Sequence, residues 1–173
     1  MSGLPQLEMI NPNLFSLEKV TIPEDIVIHT LNEGTVEKWE EIIKDSFESH
    51  FSFTETVEEC KAYSPDGVLF ASVDGEDLAT AACIEDDNYP DYGYLHMVGG
   101  MKKARGKKLG FYVVYSVLEY MKEKGYEKAV LKTDDFRIPA IKTYLKLGFK
   151  PSFSHESHEE RWKKIFEIIE TKA

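Results

Sequence analysis

The chain has 173 residues, 42% hydrophobic and 30% charged, with a formal net charge of −10, which is enough length for a buried core and too acidic for a general nucleic-acid binder. No apolar run reaches the ~18 residues of a membrane span, and the N-terminus lacks the basic start and apolar core of a secretion signal. Cys60 and Cys83 stand apart without metal-ligand spacing, so the expectation is a cytoplasmic protein with reduced thiols, no metal and no membrane partner.

Residues 1–24 contain Pro5, Pro12 and Pro23 with weak periodicity. They read as an irregular N-terminal arm laid over a single domain of residues 25–173. Asp25 to Leu31 is rich in β-branched residues and predicts a strand. Residues 34–47 follow, with Val36, Trp39, Ile43 and Phe47 near helical spacing. A second short helix is predicted over 56–63, where Thr56 and Glu59 form a capping-box pattern. Two apolar runs, 67–73 and 77–85, flank Asp74-Gly75, a dipeptide suited to a tight hairpin turn. Residues 86–93 read as a loop, and Tyr94 to Val98 as a third strand of that sheet. Residues 110–125 predict a long helix with Gly110, Val114, Val117, Leu118 and Met121 on one face and Gly125 as its stop. A strand over 128–133 comes next. A helix over 139–148 follows, with Pro139 in its first turn and Gly148 at its end. The tail closes with a helix over 157–170, capped by Ser157 and Glu160, whose stripe is Trp162, Ile165, Phe166 and Ile169. The order describes a mixed α/β layer architecture, with an antiparallel hairpin feeding a strand–loop–helix–strand unit.

Between the third strand and the long helix lies KKARGKKLG, Lys102 to Gly110. Five of the seven residues from Lys102 to Lys108 are basic, and the rest of the chain carries −15 once these are set against the −10 total. A loop entering a helix leaves backbone N–H groups without partners, and the helix dipole adds positive charge at the same end. Gly106 and Gly110 allow close backbone approach. The stretch therefore reads as a cradle for pyrophosphate or, more plainly, as a solvated basic loop. It is not a P-loop, which needs four residues between its glycines and then Gly-Lys-Ser/Thr, nor a dinucleotide G-x-G-x-x-G.

Arg105, Gly106 and Gly110 in RGKKLG resemble the Arg/Gln-x-x-Gly-x-Gly/Ala signature of the GNAT (Gcn5-related N-acetyltransferase) superfamily. Ala140, Tyr144, Gly148 and Phe149 match its second signature, A-x-x-x-Y-x-x-x-G-F, in the expected order and spacing. The clear resemblance covers residues 92–150. The strand, loop and Arg161-Trp162 helix near the end are similar to GNAT domains of the mycothiol-synthase-like kind. The resemblance implies a GNAT-type α/β (α+β) fold: a mixed, mostly antiparallel central sheet flanked by helices, with a strand–loop–helix–strand acetyl-CoA unit. It implies acetyl-CoA as co-substrate. Val98, Gly99 and Gly100 would receive the pantetheine arm, and one of their amides the oxyanion. Arg105, Gly106, Lys107, Lys108, Leu109 and Gly110 would hold the pyrophosphate, with Arg137 and Tyr144 also at the cofactor. The sequence departs from the pattern at Lys108, where a glycine is usual, at Gly100, where a β-branched residue is common, and at Arg137, where asparagine is frequent.

In this family an amine attacks the thioester directly. Tyr144 is then the general acid for the departing thiolate; outside the motif it would read as an ordinary packed tyrosine. His96, which titrates near neutrality, and Glu85 are candidate general bases, each also readable as a structural or solvated residue. Asp134 and Asp135 read as caps of the next helix. The implied function is an N-acetyltransferase acting on the primary amine of a small molecule, as a monomer or homodimer. The alternatives are acetylation of a protein N-terminus or lysine, and a non-catalytic acyl-CoA sensor.

Overall fold

A computed structural model describes residues 3–60 and 63–171. Its elements run β1 (Leu7–Asn11), β2 (Ile26–Thr30), α1 (Val36–Phe47), β3 (Val68–Val73), β4 (Glu76–Ile84), β5 (Tyr92–Gly100), α2 (Leu109–Glu123), β6 (Lys128–Thr133), α3 (Ile138–Lys146), β7 (Lys150–Ser152) and α4 (His158–Thr171). The seven strands form one mixed, mostly antiparallel sheet in the order β2-β3-β4-β5-β6-β1-β7, with β5–β6 as its parallel pair.

Local chemistry accounts for most boundaries. Asp74 and Gly75 both have positive φ, 53° and 80°, as the two-residue hairpin between β3 and β4 demands. Thr35 caps α1 by accepting the Lys38 N–H at 3.0 Å. Gly125 and Gly148 take φ of 95° and 92° just beyond α2 and α3 and stop them.

The structure departs from the sequence reading in two elements. The expected irregular arm contains β1, which is flanked by β6 on one side and β7 on the other. The prolines lie outside Leu7–Asn11, and partners more than a hundred residues away supply its pairing. The second helix is instead one turn of π-helix, Thr54–Glu58, entered through Phe53 without a side-chain cap. The Thr56 N–H goes to the Ser52 carbonyl, so the Thr56/Glu59 box does not form; Lys61 and Ala62 of that predicted helix lie outside the described residues.

Alternation along the strands puts a core on each face of the sheet. Ala81, Leu95 and Leu131 point to one face, where Val114, Val117, Leu118 and Met121 of α2 cover them with Ile141 of α3 and Trp162 of α4. Ala82 and Phe70 point to the other, under Trp39, Ile42 and Ile43 of α1. Each large side chain buried in this way contributes roughly 1.5–3 kcal/mol. α1 and α2 therefore lie on opposite faces, and what happens between them happens at the end of β5.

There the sheet opens. β5 pairs with β6 only from Tyr92–Lys128 to Tyr94–Val130, although β5 runs on to Gly100 and β6 to Thr133. Opposite Ala81 the register of β5 against β4 slips, taking two residues, Met97 and Val98, where β4 has one. Met97 is left-handed, with φ 51°. Such a bulge bends its strand and ends pairing, and here it leaves the last turns of β5 facing a gap.

Candidate active site

The stretch after β5 is built to present amides. A single 3-10 turn, Lys102–Ala104, is held internally, with the Arg105 N–H on the Lys102 carbonyl at 3.2 Å and the Lys107 N–H on the Ala104 carbonyl at 3.3 Å. α2 then starts from Lys108, which is left-handed (φ 60°, ψ 28°) and makes no side-chain cap bond. Tyr112 is the first residue of the helix whose N–H finds a backbone partner, the Lys108 carbonyl at 3.2 Å. The amides of Gly106, Lys108, Leu109, Gly110 and Phe111 have no backbone partner among the described residues. The donors thus differ from the sequence reading: Arg105 and Lys107 spend their amides inside the turn, and Phe111 joins the set. Phe111 was legible in principle, since the first three amides of any α-helix are unpaired.

The end of α1 anchors this loop. The Lys102 N–H donates to Asp45 Oδ2 at 2.6 Å, and the Gly100 N–H to Ser46 Oγ at 3.2 Å. The Gly100 amide, one of the candidates for the oxyanion, is therefore engaged in this structure. Two of the basic side chains are also engaged, Lys102 with Glu48 at 3.1 Å and Lys103 with Glu76 at 2.6 Å. These are exposed pairs of small energetic weight. Their effect is to leave Arg105, Lys107 and Lys108 as the loop's cations without an ion pair among the described residues.

A cavity of about 670 Å³ lies against this loop, between the end of β5, the start of α2, α3 and the end of α1. It brings together Val98, Gly99, Gly100, Arg105, Gly106, Lys108, Leu109, Gly110, Arg137 and Tyr144. Lys107 does not line it. Phe47, Phe136 and Thr143 line it as well; nothing in the sequence pattern singled them out, since they reach it only through the packing of α1 and α3. A larger side chain at Gly99 would collide with α1, since a Cβ there would sit 2.9 Å from Ile43 Cδ1.

Tyr144 is 5% exposed and packs edge-on to Phe149. Its hydroxyl makes no hydrogen bond among the described residues. Burial pushes its pKa well above the ordinary tyrosine value, against a smaller opposing effect of the Arg137 charge. The side chain is thus a protonated phenol at neutral pH, facing a cavity, with its proton uncommitted.

His96 and Glu85, the two expected bases, do not line the cavity. Register explains Glu85: it follows Ile84, which pairs with Tyr94, at the far end of β4 from Ala79, the partner of Gly100. Its carboxylate accepts from the Tyr126 hydroxyl. His96 precedes the bulge and lies beside Tyr94, with Nε2 2.9 Å from the Thr56 carbonyl. That contact makes Nε2 the protonated nitrogen, and burial holds the ring's pKa below the usual histidine value, so it is neutral at pH 7. Asp134 and Asp135 provide no side-chain cap to α3. Asp135 instead takes a two-pronged bond from Arg161, at 3.0 and 2.7 Å. Among the described residues, no group of three or more His, Cys, Asp or Glu is placed to hold a metal ion, and no helix is long and apolar enough to cross a membrane.

Comparison with known proteins bears on the family and the fold. The family model of the Acetyltransferase (GNAT) family matches residues 36–149. Mycothiol acetyltransferase of Thermomonospora curvata is 27% identical over 142 residues, covering 77% of this chain and 47% of that protein. The mycothiol acetyltransferase of Corynebacterium aurimucosum is 33% identical over 69 residues, covering 40% of this chain and 23% of its own. The chain thus spans less than half the length of these two relatives. Among solved structures, the GCN5-related N-acetyltransferase from Sphaerobacter thermophilus matches with a TM-score of 0.64 at 18% identity, over 86% of this chain and 50% of that one. The ribosomal-protein-S18-alanine N-acetyltransferase from Escherichia coli matches with a TM-score of 0.59 at 15% identity, over 71% of this chain and 76% of that one. At such identities the two structures speak for the fold.

Proposed function

The chain belongs to the GNAT acetyltransferase family, and from that premise we propose that it transfers the acetyl group of acetyl-CoA to the primary amine of a small molecule by direct attack. One observation carries the reading. The unpaired amides at the start of α2 and the buried, protonated Tyr144 border a single cavity. The amides, with Arg105 and Lys108 beside them, suit the pyrophosphate of CoA. The gap beyond Tyr94, where β5 leaves β6, suits the extended arm that ends in the thioester.

In this reading the protein contributes position, water exclusion and one proton. Holding amine and thioester in line supplies a large part of the rate. The carbon–nitrogen bond forms as the carbon–sulfur bond breaks, and the electron pair leaves with sulfur. Tyr144 gives its proton to that thiolate. The amine's own proton goes to solvent, since neither His96 nor Glu85 reaches the cavity.

Thermal shift with acetyl-CoA, CoA and ATP tests the cofactor, and thiol release against an amine panel tests the transfer. Stabilisation by the CoA species but not ATP, followed by thiol release with at least one amine, is the expected result. No stabilisation by either CoA species would overturn the assignment.

A further inference from the structure

Arg137 is one of the cations in the cavity wall that form no ion pair among the described residues. The Arg137 guanidinium lies over the Phe47 ring, its Cζ 3.8 Å from the ring centroid, with Phe136 flanking it at 5.6 Å. Its Nε is fully buried and donates to nothing, and it forms no ion pair among the described residues. Glu48, the one acid among the lining residues, is already bound to Lys102 at 3.1 Å. Buried donors of this kind almost always have a partner. A guanidinium held over an aromatic ring can keep N–H groups free at its edge, the geometry that recognises a carboxylate or a phosphate. An asparagine here, as the family pattern would have it, offers neither the charge nor the fork.

The position decides which ligand supplies the acid. Phe47 ends α1, and α1 lies on the sheet face opposite α2. The contact holds the guanidinium against Phe47 at the end of α1, whereas the unpaired amides proposed for the pyrophosphate stand at the start of α2. Tyr144 stands two turns along α3 and lines the same cavity. We infer that Arg137 binds a carboxylate of the acceptor, so that the molecule acetylated is an amine that also carries an acid group. The inference rests on the function proposed above and names its substrate class.

The test measures thiol release from acetyl-CoA with matched acceptors differing only in the acid: glycine beside glycinamide, and 4-aminobutyrate beside butylamine. The wild type is expected to favour the acid in kcat/KM by at least about tenfold, as sites built around a polar group do. Arg137→Gln loses that preference while CoA affinity, read by calorimetry, changes by less than about threefold; Arg137→Lys, with charge but no fork, recovers only part of it. Calorimetric titration of the same acceptors into the CoA complex reads the preference without chemistry, and a thermal melt establishes that each variant is folded. Equal use of acid and uncharged acceptors by the wild type, or a preference that survives in Arg137→Gln, overturns the inference. So does a loss of CoA affinity in Arg137→Gln with acceptor preference intact, which assigns the residue to the cofactor. Absence of any CoA binding is a separate failure, overturning the proposed function and this inference with it.

Discussion

Lys108 occupies a backbone conformation that a side chain disfavours, at the point where α2 begins. Its φ is 60° and its side chain caps nothing. Holding a non-glycine residue in the left-handed region costs about 1–2 kcal/mol. Glycine removes that strain but gives back about 0.4–1 kcal/mol through the freer unfolded chain. The net for Lys108→Gly is about 0.5–1 kcal/mol of stabilisation, or a melting temperature about 1–4 °C higher in a chain of this size. Both Lys108→Gly and Lys108→Ala take a cation from the positive end of the helix dipole, a small gain common to the two. Lys108→Ala keeps the strain. The difference between the two melting temperatures, measured by circular dichroism, thus isolates the conformational cost. Glycine should melt higher than alanine by the stated margin; equal values, or alanine above glycine, would refute the assignment of strain. CoA titrations of both variants should show a loss of no more than about fivefold, the worth of one exposed charge, because the amide at position 108 is retained.

Tyr144→Phe should lower kcat by about a hundredfold or more with CoA affinity and melting temperature nearly unchanged, since the hydroxyl makes no hydrogen bond in the protein. The wild-type kcat should not fall on the alkaline side until pH exceeds about 10, the ordinary tyrosine value, because burial raises this one further. Gly148→Ala should destabilise by about 2–3 kcal/mol in denaturant titrations. It adds left-handed strain at φ 92° and puts a Cβ 2.9 Å from Asn11 Nδ2, which donates to the Leu147 carbonyl. Asp135→Asn should cost up to about 1 kcal/mol at neutral pH, since Arg161 pairs with a half-exposed carboxylate. Arg161 holds that carboxyl below its ordinary value, so the wild type's advantage is full above the usual carboxylate range and vanishes as pH falls through it. Melting both proteins between pH 7 and 3 reads the convergence.

What the sequence made legible was local. The hairpin at Asp74-Gly75, the glycine stops at 125 and 148, and the apolar stripe of α2 are short-range chemistry, and each appears within about two residues of where periodicity puts it. Tyr144 was singled out by its resemblance to a family signature, and the loop before α2 by its charge and its place between a strand and a helix; both border the cavity. The misplaced candidates depended on register. Whether Glu85 or His96 reaches the cavity is decided by which residue of β4 faces which of β5, and by a bulge at Met97 that no local propensity announces. Phe47 was read as part of a helix stripe, and only the meeting of α1 with α3 sets it under Arg137.

The short strand Leu7–Asn11 has a consequence for how the molecule is made. It is synthesised well before its neighbours in the sheet, residues 129–133 and 150–152. Until about 120 residues more have been synthesised, β1 waits without its β6 partner, and until residue 152 its other edge stays open. Long-range pairing of this kind slows folding, and nascent chains stalled short of residue 150 would expose an open edge of β1 that β7 of another copy fits. Arrest at that length is where chaperone demand, and strand exchange between chains, should be greatest.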